Sequence, residues 1–254
     1  RHYIDERSRR RWEKKFLSLL TTKMLTVSQE LYQAALERDK IKENKLAIVG
    51  NGIDLNRFRQ ISGSRLRELR DEIGICDKDK VLSIIARLHP IKNHHLLLQA
   101  MQMIVQTRPE CKLLIVGDGE TRGELEARAR ELGLSGNVLF LGERQDVPEI
   151  LNITDALVLC SKREGLPLIL LEAMAARVPI VLTSGANKSE VIEHEVSGLV
   201  CEDNAEDLKE KIMTVLENKK IQYQIAKNAF KDVQDKYSIK HAVFEYQDLY
   251  ATHK

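Results

Sequence analysis

Short apolar runs alternate with amphipathic stretches through most of this chain. Val81–Ile85, Lys112–Val116, Val138–Leu141, Ala156–Cys160, Pro179–Leu182 and Gly198–Val200 are brief and rich in Val, Ile and Leu, as strands buried on both faces are. Between them lie stretches with helical spacing: Asn93–Thr107, Glu120–Leu132, Val147–Asn152, Leu166–Ala176 and Lys188–His194. Strands alternating with helices predict a parallel sheet joined by crossover helices. The fold class is therefore α/β, a Rossmann-like parallel sheet with helices on both faces. Ala205–Asn218 and Ile221–Tyr237 read as closing helices, and Ile239–His253 as a last helical stretch.

Upstream of that series, Ser64–Ile73 is a charged helix and Ile61–Gly63 a junction. Before the junction, the pattern predicts a helix over Arg1–Lys23 and a strand over Met24–Val27. A helix over Gln29–Arg38 and a strand over Leu46–Val49 follow. Ser28 is placed as an N-cap, although Leu31 stands where a capping box has Glu or Gln. Gly50-Asn51-Gly52 reads as a tight turn, because Asn and Gly tolerate positive φ.

Composition narrows the class. With 43% hydrophobic residues in 254, the chain is globular and holds one large domain, or one domain and a piece of another. A net charge of +2 gives no case for nucleic acid. Cys76, Cys111, Cys160 and Cys201 lack metal-ligand spacing and read as reduced, mostly buried thiols of a cytosolic protein. No stretch has the length of a membrane span and no signal peptide is visible. The chain opens at Arg1 without a methionine, as a fragment or a processed chain does. Arg1–Lys23 is basic, and Trp12, Phe16, Leu19 and Leu20 recur at helical spacing. Two readings stand for it: a helix packed within a lobe with a solvated basic face, or one lying on an anionic membrane surface.

The chemistry concentrates around Ala156–Val181, which reads as strand, loop, helix, strand. Ligands of open parallel sheets sit at the carboxyl ends of strands, beside helix N-termini. Glu164 falls on that side, and Glu172 in the helix behind it. Glu164-Gly165-Leu166-Pro167 followed by Glu172-Ala173-Met174-Ala175 resembles the E-x7-E signature of retaining, nucleotide-sugar-dependent glycosyltransferases of family 4, which have the two-lobed GT-B fold. The resemblance implies a nucleotide diphosphate sugar as donor substrate, no cofactor and no metal, and a saccharide or lipid-linked acceptor. It puts Glu164 beside the transferred sugar and Glu172 on the ribose hydroxyls, which one carboxylate can accept as a pair. Backbone N–H groups of Gly165, Leu166 and Leu168 would hold diphosphate oxygens.

Arg87 and Lys92 flank the short loop after the first strand of the series. Two fixed positive charges at a helix start suit a diphosphate and stabilise it as it departs. The segment resembles the family's G-R…K-G motif, with Ala86 and Asn93 at its glycines; Asn93 could instead cap the helix. His89 has two readings, a phosphate contact or an exposed loop residue. Gly117-Asp118-Gly119 mimics a dinucleotide fingerprint with Gly123, but the spacing is off by one. It resembles the family's G-D-G turn, whose glycines allow close approach near the donor. Gly142 and Arg144 match the loop beside the nucleotide base. Other positions depart from the family: Gly50 replaces proline, Arg177 and Glu195 replace glycines, and the Gly-Gly pair before Glu190 is missing.

On this resemblance, residues 1–60 are the end of an N-terminal acceptor lobe, 61–235 the donor lobe, and 236–254 a helix crossing back. Such a chain binds donor but transfers sugar poorly on its own. It serves bacterial surface polysaccharide or lipopolysaccharide synthesis, in the cytoplasm or at the inner face of the membrane as a peripheral protein. The competing classes are a non-catalytic donor-binding or interaction module and a sugar-nucleotide epimerase of related two-lobed fold. Retention of Arg87, Lys92, Glu164 and Glu172 argues against loss of binding.

Overall fold

The computed structural model describes residues 6–58 and 61–251. The chain divides into two units, Arg1–Gly52 with Tyr237–Lys254, and Ile53–Lys236.

The first unit opens with α1 (Glu6–Leu20), β1 (Met24–Thr26) and α2 (Gln29–Gln33), which widens into a π-helical turn over Ala34–Arg38; β2 (Leu46–Ile48) follows. Ser28 caps α2 as expected, its Oγ accepting from Leu31 N at 3.3 Å. The two strands pair in parallel, Met24 opposite Leu46 and Thr26 opposite Ile48. Their core is small: Ala35, Ile41 and Leu46, with Met24, Tyr32 and Leu36 against them. On α1, Phe16, Leu19 and Leu20 of the expected apolar spacing are exposed; the side chain of Trp12 lies outside the described residues.

The second unit runs α3 (Gly63–Glu72), β3 (Lys80–Ile85), α4 (His94–Val105), β4 (Cys111–Val116), α5 (Arg122–Glu131), β5 (Val138–Gly142), α6 (Val147–Asn152), β6 (Ala156–Leu159), α7 (Leu168–Ala175), β7 (Ile180–Thr183), β8 (Leu199–Cys201), α8 (Ala205–Glu217) and α9 (Lys219–Lys236). Its six strands are parallel in the order β5-β4-β3-β6-β7-β8. Alternate side chains feed opposite faces, as the two-residue period of a strand requires. On β4, Cys111, Leu113 and Ile115 join the core under α4, α5 and α8, while Leu114 and Val116 join the one under α3 and α6. This is the doubly wound, Rossmann-like arrangement the pattern predicts. Its order reverses at β3, whose chain neighbour β4 lies on one side and β6 on the other, so the crevice at their carboxyl ends is the ligand position for such a sheet.

α10 (Ile239–Ala251) completes the first unit. It explains Gly52. A Cβ there would lie 2.7 Å from that of Ala242 and 2.9 Å from Cα of Ile239. Neither glycine of Gly50-Asn51-Gly52, nor its asparagine, has positive φ, so close packing, and not turn geometry, requires the glycine.

Other expectations also change. The division between units comes after Gly52, earlier than Ile61–Gly63, because the 3₁₀ turn Leu55–Phe58 packs on α6 and α7 with Phe58 buried. Lys188–His194 is not a helix. The Asn187 side chain takes the backbone partners a helix would need, accepting from Ile192 N at 3.2 Å and donating to Ile192 O at 2.8 Å. Glu190 and Glu195 are left-handed. So are Asn93 and Arg177, with φ of 54° and 58°. Asn93, Arg177 and Glu195 stand where the resemblance leads one to expect glycine, and their backbone has the left-handed conformation that glycine adopts most freely.

Candidate functional site

Three loops at the carboxyl edge of the sheet are stitched to one another. Ala86 N donates to Val116 O at 2.9 Å, Leu88 N to Asp118 O at 2.9 Å, and Gly117 N to Gly142 O at 2.7 Å. Gly117 and Gly119 are demanded by this contact: a Cβ on either would stand 2.2 Å from Ala86 O or 2.3 Å from Leu88 O. The glycines thus let the loop after β4 touch the one carrying Arg87. Asp118 is turned aside, accepting from Gly119 N at 2.7 Å and from Arg122 Nη1 at 2.9 Å.

Arg87 is exposed on the first of these loops. His89 caps the next turn, its Nδ1 accepting from Ile91 N at 3.1 Å, and its Nε2 lies 3.6 Å from Glu120. Asn93 does not cap α4 with its side chain; it supplies the left-handed residue that a short-side-chain Asn tolerates best after Gly. Behind it His94 is buried, with Nε2 lacking a hydrogen-bond partner. Burial, with the charges of His95 and Lys92, lowers its pKa to about 4.

The loop after β6 joins the loop after β3 through Lys162 N and Ile91 O at 2.8 Å. This brings together residues that are far apart in sequence. Lys92 Nζ forms an ion pair with Glu164 Oε1, and Ser161 Oγ donates to the same oxygen at 2.5 Å. Lys92 therefore faces the Glu164 carboxylate as well as standing on the loop after β3. Gly165 and the buried Leu166 lead into α7, which starts at Leu168 behind an extended Pro167. Glu172 lies further along α7, half-buried. Burial raises its pKa, and the charge of Arg57 pulls in the other direction.

Arg144 has a different environment from the expected base contact. Its guanidinium grips Asp146 through Nε at 2.8 Å and Nη2 at 2.6 Å, and Glu72 through Nη1 at 2.8 Å. It fastens α3 to the start of α6. Ser161 and Arg57 went unnoticed in the sequence. Ser161 reads only as one polar loop residue, and Arg57 sits inside the segment before Phe58 with no spacing that ties it to Glu172. Among the described residues no group of three or more His, Cys, Asp or Glu could hold a metal ion, and no helix is long and apolar enough to cross a membrane. A cavity of about 440 Å³ between Asp155, Arg177 and Tyr223 opens at the opposite, amino-terminal ends of β6 and β7.

Known proteins are similar to this chain in sequence and in fold. An uncharacterized glycosyltransferase of Methanocaldococcus jannaschii is 32% identical over 219 residues, covering 85% of this chain and 56% of its own length. The UDP-Gal:α-D-GlcNAc-diphosphoundecaprenol α-1,3-galactosyltransferase of Escherichia coli is 26% identical over 244 residues, covering 94% of this chain and 62% of that protein. Thus the chain spans less than two thirds of the length of either relative. The Anabaena protein HepE, crystallised with UDP-glucose, superposes with a TM-score of 0.84 at 25% identity, over 91% of this chain and 64% of that one. The family model for group 1 glycosyl transferases matches residues 65–232, nearly the whole second unit. This chain belongs to the group 1 glycosyltransferases, and its second unit is the Rossmann-like lobe of the GT-B fold.

Proposed function

We propose that the chain carries the donor-binding half of a retaining glycosyltransferase of family 4. The observation that carries this is the meeting of Lys92 and Glu164 at the point where the sheet order reverses, with Glu172 on the helix that follows. Arg87, Lys92 and the N–H groups of Gly165, Leu166 and Leu168 hold the donor diphosphate. Glu172 accepts the ribose hydroxyls. Gly117, Gly119 and Gly142 shape the loops, and the base lies against backbone.

Transfer then proceeds on one face of the sugar. The bond from the anomeric carbon to the diphosphate oxygen lengthens, and the acceptor oxygen approaches from the side the diphosphate leaves. The leaving phosphate oxygen takes the acceptor proton. Arg87 and Lys92 stabilise the charge growing on the diphosphate, and Glu164 that growing at the anomeric carbon; groups held in place for the transition state lower the barrier. The donor is a uridine diphosphate sugar, a choice supported by the UDP-glucose bound to HepE and the UDP-Gal in the E. coli relative's name. That name also supports a lipid-linked acceptor, and with it a place in the cytoplasm at the membrane's inner face. The exposed Phe16, Leu19 and Leu20 of α1 suit such a peripheral contact.

The 254 residues alone bind donor and transfer sugar slowly or not at all, because they match only 56% to 64% of the proteins compared above. Incubation with UDP-glucose and a lipid-diphosphate sugar acceptor tests this. Turnover that adding upstream sequence leaves unchanged would sink the half-enzyme reading.

A further inference from the structure

The two oxygens of Glu164 are not equivalent. Oε1 accepts from Ser161 Oγ at 2.5 Å and pairs with Lys92 Nζ. Oε2 takes no hydrogen bond from any described residue, although the side chain is only 13% exposed. A carboxylate has about four acceptor sites over its two oxygens, so with Oε1 taken by the protein those of Oε2 are left for a ligand.

Ser161 is better fixed than Lys92. It is 2% exposed at the end of β6. Its carbonyl accepts from Thr183 Oγ1 at 3.4 Å, and Thr183 is itself fully buried at the end of β7. Gly185 closes on the same carbonyl: a Cβ there would stand 2.8 Å from Ser161 O and 2.9 Å from Lys162 O. Lys92, by contrast, is a point charge on a flexible four-carbon stem, free to turn its donors toward a diphosphate. Once it does so, only the serine still holds Oε1.

We propose that Oε2 is the oxygen by which Glu164 engages a hydroxyl of the transferred sugar, and that Ser161 is the positioning residue that turns it there. Gly185 and Thr183 act through Ser161, and none of the three touches substrate. The inference rests on the donor reading above and adds which atom meets the sugar and what aims it. Its signature is selective: losing Ser161 affects recognition of the hexose and spares the nucleotide.

The test is calorimetric binding of UDP and of UDP-glucose to the wild-type chain, Ser161→Ala and Gly185→Ala. Losing a hydrogen bond to a charged group is expected to weaken UDP-glucose about 10-fold or more, with UDP changed less than about 2-fold. Gly185→Ala, which displaces the Ser161 carbonyl and keeps its hydroxyl, shows the same split. Equal weakening of both ligands, or no weakening of UDP-glucose in either variant, overturns the proposal. If Ser161→Ala does not fold, Gly185→Ala alone decides. A wild-type chain that binds neither ligand overturns the donor reading, and this proposal with it; one that binds both, with variants lacking the split, overturns this proposal alone.

Discussion

His94 should make the stability of this chain steeply dependent on acid. It opens α4, is 2% exposed, and its Nε2 has no hydrogen-bond partner. Burial, with the neighbouring His95 and Lys92, brings its pKa from 6.5 down to about 4. Between those values the unfolded chain takes up a proton that the folded chain refuses. Stability therefore rises with pH through this window, is fully present above about 6.5, and is lost as pH falls toward 4. Integrated down to pH 4.5, the loss from this one group is about 2 to 3 kcal/mol. Urea unfolding at pH 7 and pH 4.5 measures it, with His94→Leu as the comparison. Leucine removes both the charge and the unpartnered nitrogen, so the variant should be at least as stable at pH 7. It should lose about 2 kcal/mol less than wild type on acidification. Parallel losses in the two proteins would exclude His94 as the source of the acid sensitivity.

Two other positions give sharp expectations. Glu172 has its pKa raised by burial, against the pull of Arg57, so the folded chain keeps a proton that the unfolded chain has released. Stability then falls as pH rises from the ordinary carboxylate range through the raised value, and the deficit persists at neutral pH. Glu172→Gln should be more stable than wild type at pH 7, and no more stable near pH 4, while binding nucleotide more weakly; thermal melts at the two pH values check it. Arg177 holds φ at 58° with its guanidinium 4.1 Å from the centre of the Phe230 ring. Arg177→Ala loses the cation–π contact, about 0.5 to 1 kcal/mol, and keeps the strain. Arg177→Gly also relieves the strain, about 1 to 2 kcal/mol, so it should be the more stable of the two in chemical denaturation.

The sheet was readable because its strands are buried on both faces, and that demand writes itself as uninterrupted Val, Ile and Leu. Val81–Ile85 and Ala156–Cys160 are runs of this kind, each followed by a loop that carries a proline. Lys188–His194 has the composition of a helix, but one asparagine side chain, that of Asn187, holds the backbone in turns. Asn93, Arg177 and Glu195 read in the sequence as departures from an expected glycine, but their positive φ does not show there, because a side chain does not report its own backbone angle. The pairing of Lys92 with Glu164 depends on the order of the strands, which apolar runs do not encode. Ser161 and Arg57 are seen only when the elements carrying their partners are placed, and so is the pairing of Arg144 with Glu72, which lies far away in sequence.

Donor binding by the second unit depends, on the proposal above, on Glu172 and its neighbours. The most direct measurement is calorimetric titration of uridine, guanosine and adenosine diphosphate sugars into the chain and into Glu172→Ala. The expected result is selective binding of the uridine member by the parent, weakened about 10-fold or more in the variant as bonds to a charged carboxylate are lost. Binding of no member of the panel, or binding that Glu172→Ala leaves unchanged, would contradict it.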